Sequence, residues 1–272
     1  MTVKDAPSVW GETMEFRLLG PVTIADENRS ISPGGRRQQA VVAALLMHRN
    51  TFVPVPRLID YVWGDEAPPS AVNSLQSYVS RFRKLLEPGP PDGSVRLVRS
   101  VPGGYSLHAP DEQVDGVRFA RLVSDGRSLL EAGRAMEAYR CLTRALRLWR
   151  GPAMAGLADH EPLAAEIARL EELRTSATEY LATAALALGR NEEAVALLKG
   201  VIRECPLRER PRAGLMLALY RSGRQAEALA LFRTTRAMLI DELGVEPGHE
   251  LARLQQSILR QDPALARPAL TV

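Results

Sequence analysis

The sequence predicts an α+β N-terminal unit followed by an all-α domain of repeated helix pairs. Three observations predict it. Short apolar runs with breakers occupy the first thirty or so residues, three helical patterns then lead to a Gly/Pro-centred hairpin, and a Gly-Arg-x-x-Glu-Ala word recurs downstream. A chain of 272 residues holds two ordinary domains. The expected division is a disordered leader over 1–14, an N-terminal domain over 15–109, a helical domain over 115–260 and a disordered tail over 261–272.

Between Glu15 and Ser32 the runs FRLLG, VTIA and SIS are broken by Gly20-Pro21 and by Asp26-Glu27-Asn28-Arg29, which reads as a small antiparallel sheet. From Gly35 to Asn50 the spacing becomes helical, with Ala40, Ala43, Ala44 and Met47 on one face and Val41, Leu45 and Leu46 widening the stripe. Pro56 suits the first turn of a second helix through Leu58, Ile59, Val62 and Trp63, stopped by Gly64. An exposed loop, Asp65-Glu66-Ala67-Pro68-Pro69, leads to Ser70, placed to cap a third helix with apolar positions Val72, Leu75, Val79, Phe82 and Leu86. Val95–Arg99 and Tyr105–His108 flank Pro102-Gly103-Gly104 as a strand pair around a turn. Sheet, three helices and hairpin, in that order, describe a winged helix of the response-regulator output type.

Beyond Asp115 strand signals vanish and Ala, Leu, Arg and Glu dominate, all good helix formers. The repeated word starts at Gly133, Gly189 and Gly223 and ends on Ala138, Ala194 and Ala228. Glu192 and Glu193 both fit its acidic position in the second copy. Gly189 to Gly223 is 34 residues, the tetratricopeptide period, and Pro206 stands where a unit ends. A long helix from Glu161 to Leu188 separates the first copy from the second.

On the third helix the buried spacing leaves Asn73, Gln76, Ser77, Ser80, Arg81 and Lys84 on or beside the open face. These are residue types that read base edges and grip phosphates: Arg takes guanine O6/N7, Asn or Gln takes adenine N6/N7, and Ser and Lys hold phosphates. Any surface helix is polar opposite its core; the basic hairpin that follows tips the reading towards duplex DNA. Arg96 and Arg99 alternate with apolar residues on its first strand, and Arg99, nearer the turn, is the better candidate for the minor groove or its phosphates. Arg36, Arg37 and Arg57, at the starts of the first two helices, either grip phosphate or are solvated. Trp63, Tyr78 and Phe82 sit at core spacing.

Other function classes fall away on inventory. There is no nucleophile elbow, metal triad or paired carboxylate loop to make an enzyme, and no cofactor is expected. Cys141 and Cys205 form no CxxC pair and read as buried free thiols, while His48, His108, His160 and His249 are scattered without ligand spacing, so no metal is assigned. No apolar run approaches the roughly 18 residues of a membrane span, and the first residues lack a signal-peptide core, so the expected location is the cytoplasm.

The words FRLLGPV, LIDYVWGDEAPPSAVNSLQSYVSRFRKLLEP, VPGGYSL and DELGVEPGHEL resemble the Streptomyces antibiotic regulatory protein (SARP) family of transcriptional activators, from Glu15 to about Arg260. The resemblance implies a response-regulator-type DNA-binding domain and a bacterial transcriptional activation domain. It implies binding to direct repeats in promoters of antibiotic biosynthetic clusters, with two subunits head to tail, and engagement of RNA polymerase. By position, Ser80-Arg81-Phe82-Arg83-Lys84 corresponds to the core of the recognition helix, where the family more often has Leu than Phe82. The loop Trp63–Pro69 corresponds to one that touches the polymerase sigma subunit in related activators, which implies a contact by Trp63, Asp65 and Glu66; merely solvated loop charges are the alternative. With no Gly-x-x-x-x-Gly-Lys-Ser/Thr loop, the resemblance is to the small form of the family. The sign of regulation stays open at this point, since a repressor or a helical scaffold tethered to DNA would show the same words.

Overall fold

The computed structural model describes residues 14–26, 29–86 and 97–266. The chain forms two compact units. The first comprises the residues up to Ala120 together with Arg147–Glu172, and the second Arg121–Leu146 with the residues from Leu173 onward. Of the expected leader over 1–14, residues 1–13 lie outside the described residues and Met14 is buried; the end of the expected tail, 267–272, also lies outside them.

The first unit opens with the expected small sheet. Strands β1 (Glu15–Arg17), β2 (Thr23–Ala25) and β3 (Ser30–Ile31) pair antiparallel in that order, with Phe16 opposite Ile24 and Ile24 opposite Ile31. Phe16 and Ile24 are fully buried. Helix α1 (Arg36–Met47) buries every residue from Ala40 to Leu46, so it forms the centre of the unit. Its N-terminus is closed by the Gln38 side chain, which accepts from the Gly35 N–H at 2.8 Å. Strand β4 (Val53–Pro54) follows, then α2 (Val55–Trp63), which has Pro56 in its first turn and ends on Gly64 at φ +55°.

Helix α3 (Ala71–Leu86) buries Ala71, Leu75, Val79, Phe82 and Leu86. Val72, expected in this stripe, is 44% exposed, because the buried spacing starts one residue earlier at Ala71. The hairpin consists of β5 (Val98–Val101) and β6 (Gly104–Leu107). β4 adds to the free edge of β6, which gives a three-stranded wing in the order β4-β6-β5.

Residues 147–172 belong to this unit because they complete the edge of the first sheet. The N–H groups of Arg150, Met154 and Ala155 donate to the carbonyls of Leu19, Leu18 and Gly20 at 2.8, 2.8 and 3.0 Å. Asp115 accepts from the Leu18 and Leu19 N–H groups at 2.7 and 3.1 Å, and Glu15 pairs with both Arg17 and Arg118.

Among the described residues eight α-helices follow the wing: α4 (Asp115–Glu131), α5 (Ala135–Leu146), α6 (Glu161–Ala187), α7 (Asn191–Glu204), α8 (Glu209–Arg221), α9 (Gln225–Leu243), α10 (His249–Leu259) and the short α11 (Pro263–Ala266). The division between the units falls inside α4 and α6. In the second unit the repeated word has one structure three times over. Gly133, Gly189 and Gly223 adopt φ +73°, +73° and +76°, and the N–H of the next residue, Arg134, Arg190 or Arg224, donates back to Leu129, Ala185 or Leu219. Each arginine then pairs with the glutamate three residues on, Glu137, Glu193 or Glu227, and Ala138, Ala194 and Ala228 are fully buried. The acidic position of the second copy is therefore Glu193.

A core of Leu186, Leu198, Met216, Leu219, Phe232 and Ile258, among others, runs through α6 to α10. Part of the expected disordered tail is ordered: α11 returns to this core, and Arg221 donates to the Leu265 carbonyl at 2.8 Å. Cys141 and Cys205 are free and half-buried rather than buried. Among the described residues no helix is long and apolar enough to cross a membrane.

Candidate nucleic-acid interface

With one face of α3 in the core, the other is bare. Asn73, Gln76, Ser77, Ser80, Arg81 and Lys84 are all exposed and together line a single open, shallow groove on the first unit. The spacing 3, 1, 3, 1, 3 keeps them within one side of a 3.6-residue turn over more than three turns.

Arg83 behaves differently. Its Nε donates to the Val98 carbonyl at 3.0 Å, its Nη2 donates to the Ser100 hydroxyl at 2.8 Å, and its guanidinium lies 5.8 Å from the centre of the Tyr105 ring. It fastens the wing to α3 and is not presented with the six others. Arg99 is exposed on β5. Arg96 lies outside the described residues.

The remaining cations sit around the supporting helices. Arg36 is exposed and pairs with the exposed Asp159 at 3.2 Å. Arg37 is exposed and stands 5.8 Å from the Trp63 ring. Arg57 is exposed and stands 5.9 Å from Tyr61, whose hydroxyl is 2.8 Å from His48 Nε2. Burial, with the nearby Arg57 charge, holds His48 below its ordinary value.

The loop after α2 divides its three candidates. Asp65 and Glu66 are exposed on a single 3-10 turn, Gly64–Glu66. Trp63 is only 8% exposed and stacks on Tyr78 with ring centres 6.1 Å apart, so the indole shapes the loop from beneath. The sequence reading missed β4 and the exposed Phe52 before it; the only signal was an aromatic residue ahead of Val-Pro. The late word DELGVEPGHEL is structural: Gly244 caps α9 at φ +69°, Arg236 holds Glu246 through both oxygens, and the Gly248 N–H donates to Glu209 at 2.7 Å.

A winged helix with a bare polar face on α3, followed in sequence by a tetratricopeptide-like array, defines a transcriptional regulator of the winged-helix class. Residues 33–107 match the family described as transcriptional regulatory protein, C terminal, and residues 114–259 match the bacterial transcriptional activator domain. The chain is 40% identical over 269 residues to the transcriptional regulator RedD of Streptomyces coelicolor, covering 97% of this chain and 76% of that one. It is 34% identical to the regulatory protein DnrI of Streptomyces peucetius, covering 93% and 95%. It is 41% identical to the regulatory protein AfsR of Streptomyces coelicolor, where it spans a quarter of the longer chain. The structure of Mycobacterium tuberculosis EmbR in complex with a low-affinity phosphopeptide superposes with a TM-score of 0.84 at 34% identity, over 93% of this chain and 68% of that one. The chain belongs to the Streptomyces antibiotic regulatory protein family of transcriptional regulators.

Proposed function

We propose that this regulator is a sequence-specific activator of a secondary-metabolite gene cluster, acting in the cytoplasm on double-stranded promoter DNA. The observation that carries the proposal is the groove-lining set on α3, six exposed polar or basic side chains backed by a buried apolar face. In the major groove Arg81 takes a guanine edge, Asn73 and Gln76 take adenine edges, and Ser77, Ser80 and Lys84 hold phosphates. The wing, fixed by Arg83, offers Arg99 to the adjacent minor groove, and Arg36, Arg37 and Arg57 add phosphate contacts from the flank.

Direct repeats would seat two copies head to tail as a homodimer on the DNA, and the exposed Asp65–Glu66 turn supplies an acidic contact for RNA polymerase holoenzyme at its sigma subunit. The helical array presents a surface for protein contacts, with no part in chemistry. The test is selection of bound sequences from a random duplex pool by wild type and by Arg81→Ala, followed by transcription from a selected site with purified holoenzyme. Arg81→Ala is expected to lose preference at one base pair and about 1–3 kcal/mol of affinity. Identical selected sequences for the two proteins would remove α3 as the reader, and lowered transcription on adding wild type would make the chain a repressor.

A further inference from the structure

The outer face of the wing carries an apolar patch that the reading helix does not touch. Arg83 engages β5 at Val98 and Ser100, and because side chains alternate along a strand, Arg99 and Val101 project to the opposite face. Val101 pairs with Gly104, so these two positions share a side. On that side a Cβ at Gly104 would run into the Phe52 ring and the Val53 carbonyl; the glycine is what lets the ring lie across the strand. Phe52 is nonetheless 47% exposed and Val101 38%. The result is an apolar surface edged by the exposed cation Arg99.

A surface of complementary chemistry lies at the other end of α3, where Asp65, Glu66, Ala67 and Pro69 are all exposed. The wing is anchored at Arg83, twelve residues beyond Ala71 at the start of the helix, about 18 Å along its axis at roughly 1.5 Å per residue. One copy therefore cannot bring its own loop onto its own wing. We infer that the outer wing face, through Phe52, Val101 and Arg99, docks on the Asp65–Pro69 loop of a second copy of this chain bound beside it on DNA.

On a direct repeat the copies are related by translation, so the wing of one meets the loop of the next and the contact is heterologous. In a bound pair one acidic loop is covered and the other stays open, so the complex has a polarity that a single copy lacks. The inference rests on the proposed reading of duplex DNA by α3; in the pair the docked wing's Arg99 leaves the minor groove for the carboxylates of the neighbouring loop, while the undocked wing's Arg99 stays on DNA.

The test uses the full chain on duplexes selected from a random pool, carrying either one half-site or two in direct repeat about 10.5 bp apart. Phe52→Ala and the double variant Asp65→Ala/Glu66→Ala are each expected to keep half-site affinity and to lose a cooperative gain of about tenfold on the two-site duplex. A mixture of the two variants regains cooperativity, because the intact wing of one meets the intact loop of the other. Cooperativity that survives in either variant alone, or that fails to return in the mixture, overturns the inference. Loss of half-site affinity in a folded Phe52→Ala protein also overturns it, by assigning the face to DNA. Should Phe52→Ala lower the melting temperature, Val101→Ser takes its place under the same criteria. Failure of wild type to bind any half-site is a different result, which removes the α3 reading along with the inference.

Discussion

The Asp115 carboxylate, with none of its side chain exposed, accepts the Arg150 guanidinium at 2.6 Å. The same carboxylate also holds the Leu18 and Leu19 N–H groups, so one buried charge joins the start of α4, the strand-edge loop and the segment after α5. Burial pushes the Asp115 carboxyl above its ordinary value, against the opposing pull of Arg150 and the two N–H groups. Asp115→Ala should cost about 2–4 kcal/mol in urea unfolding, since it orphans two N–H groups and the Arg150 charge. The cost stays below that of a fully buried pair because 31% of the Arg150 side chain reaches solvent. A change under about 0.5 kcal/mol would mean that the junction is not held by this charge.

Glu15 titrates in the opposite sense. Burial raises its carboxyl, but Arg17 and Arg118 together bring it below its ordinary value. Its contribution to stability is thus full above the ordinary glutamate range and is lost as pH falls through the lowered folded value. The stability gap between wild type and Glu15→Gln, measured by urea titration from neutral pH downward, should close in acid. A gap that widened in acid would contradict the ion pairs as drawn.

Neighbours on α3 should separate in kind. Lys84→Ala is expected to weaken binding to every sequence alike and to reduce the log–log salt slope by about one, with melting temperature unchanged. Arg83→Ala should instead lower the melting temperature, because it frees the hairpin from two hydrogen bonds to a charged donor worth about 1.5–3 kcal/mol each at most. Equal melting temperatures for the two variants would place Arg83 among the groove residues after all.

The Asp65→Ala/Glu66→Ala protein should bind a half-site like wild type. At concentrations that saturate the promoter, it should still drive less transcription by purified holoenzyme. Unchanged output at saturation would assign the two carboxylates to solvent or to the second copy alone.

In the helical array the repeated alanine is the sensitive position. Ala228 is fully buried where α9 packs into the core, so Ala228→Leu should destabilise by about 1–3 kcal/mol through overpacking. Leu243, 53% exposed at the end of the same helix, should tolerate Leu243→Ala within about 0.5 kcal/mol. Guanidinium unfolding of the pair checks the contrast, and similar losses would show that the core is not organised around the repeat.

Most of this architecture was legible because local patterns dictated it. The stripe through Leu75, Val79, Phe82 and Leu86 set the phase of α3, and with it the bare face from Asn73 to Lys84. The word recurring at Gly133, Gly189 and Gly223 announced the repeated helix pairs. What escaped depended on partners distant in sequence. Val72 was placed inside because valine looks more apolar than Ala71, yet the core took the smaller residue. Arg83 read as one more groove cation, since nothing nearby in sequence reveals a carbonyl fifteen residues on. Residues 147–172 read as part of the helical domain, because a single helical pattern through Glu161 hides the backbone hydrogen bonds that its preceding loop makes to Leu18, Leu19 and Gly20.

The return of residues 147–172 to the first unit also sets a timetable for synthesis. On a ribosome adding roughly 5–20 residues per second, the first 120 residues wait roughly 2–7 s before Arg150, Met154 and Ala155 have all been made. Until then Asp115 lacks its cation and the first sheet lacks its last neighbours, so the first unit is finished only after α5, an element of the second unit, has been made.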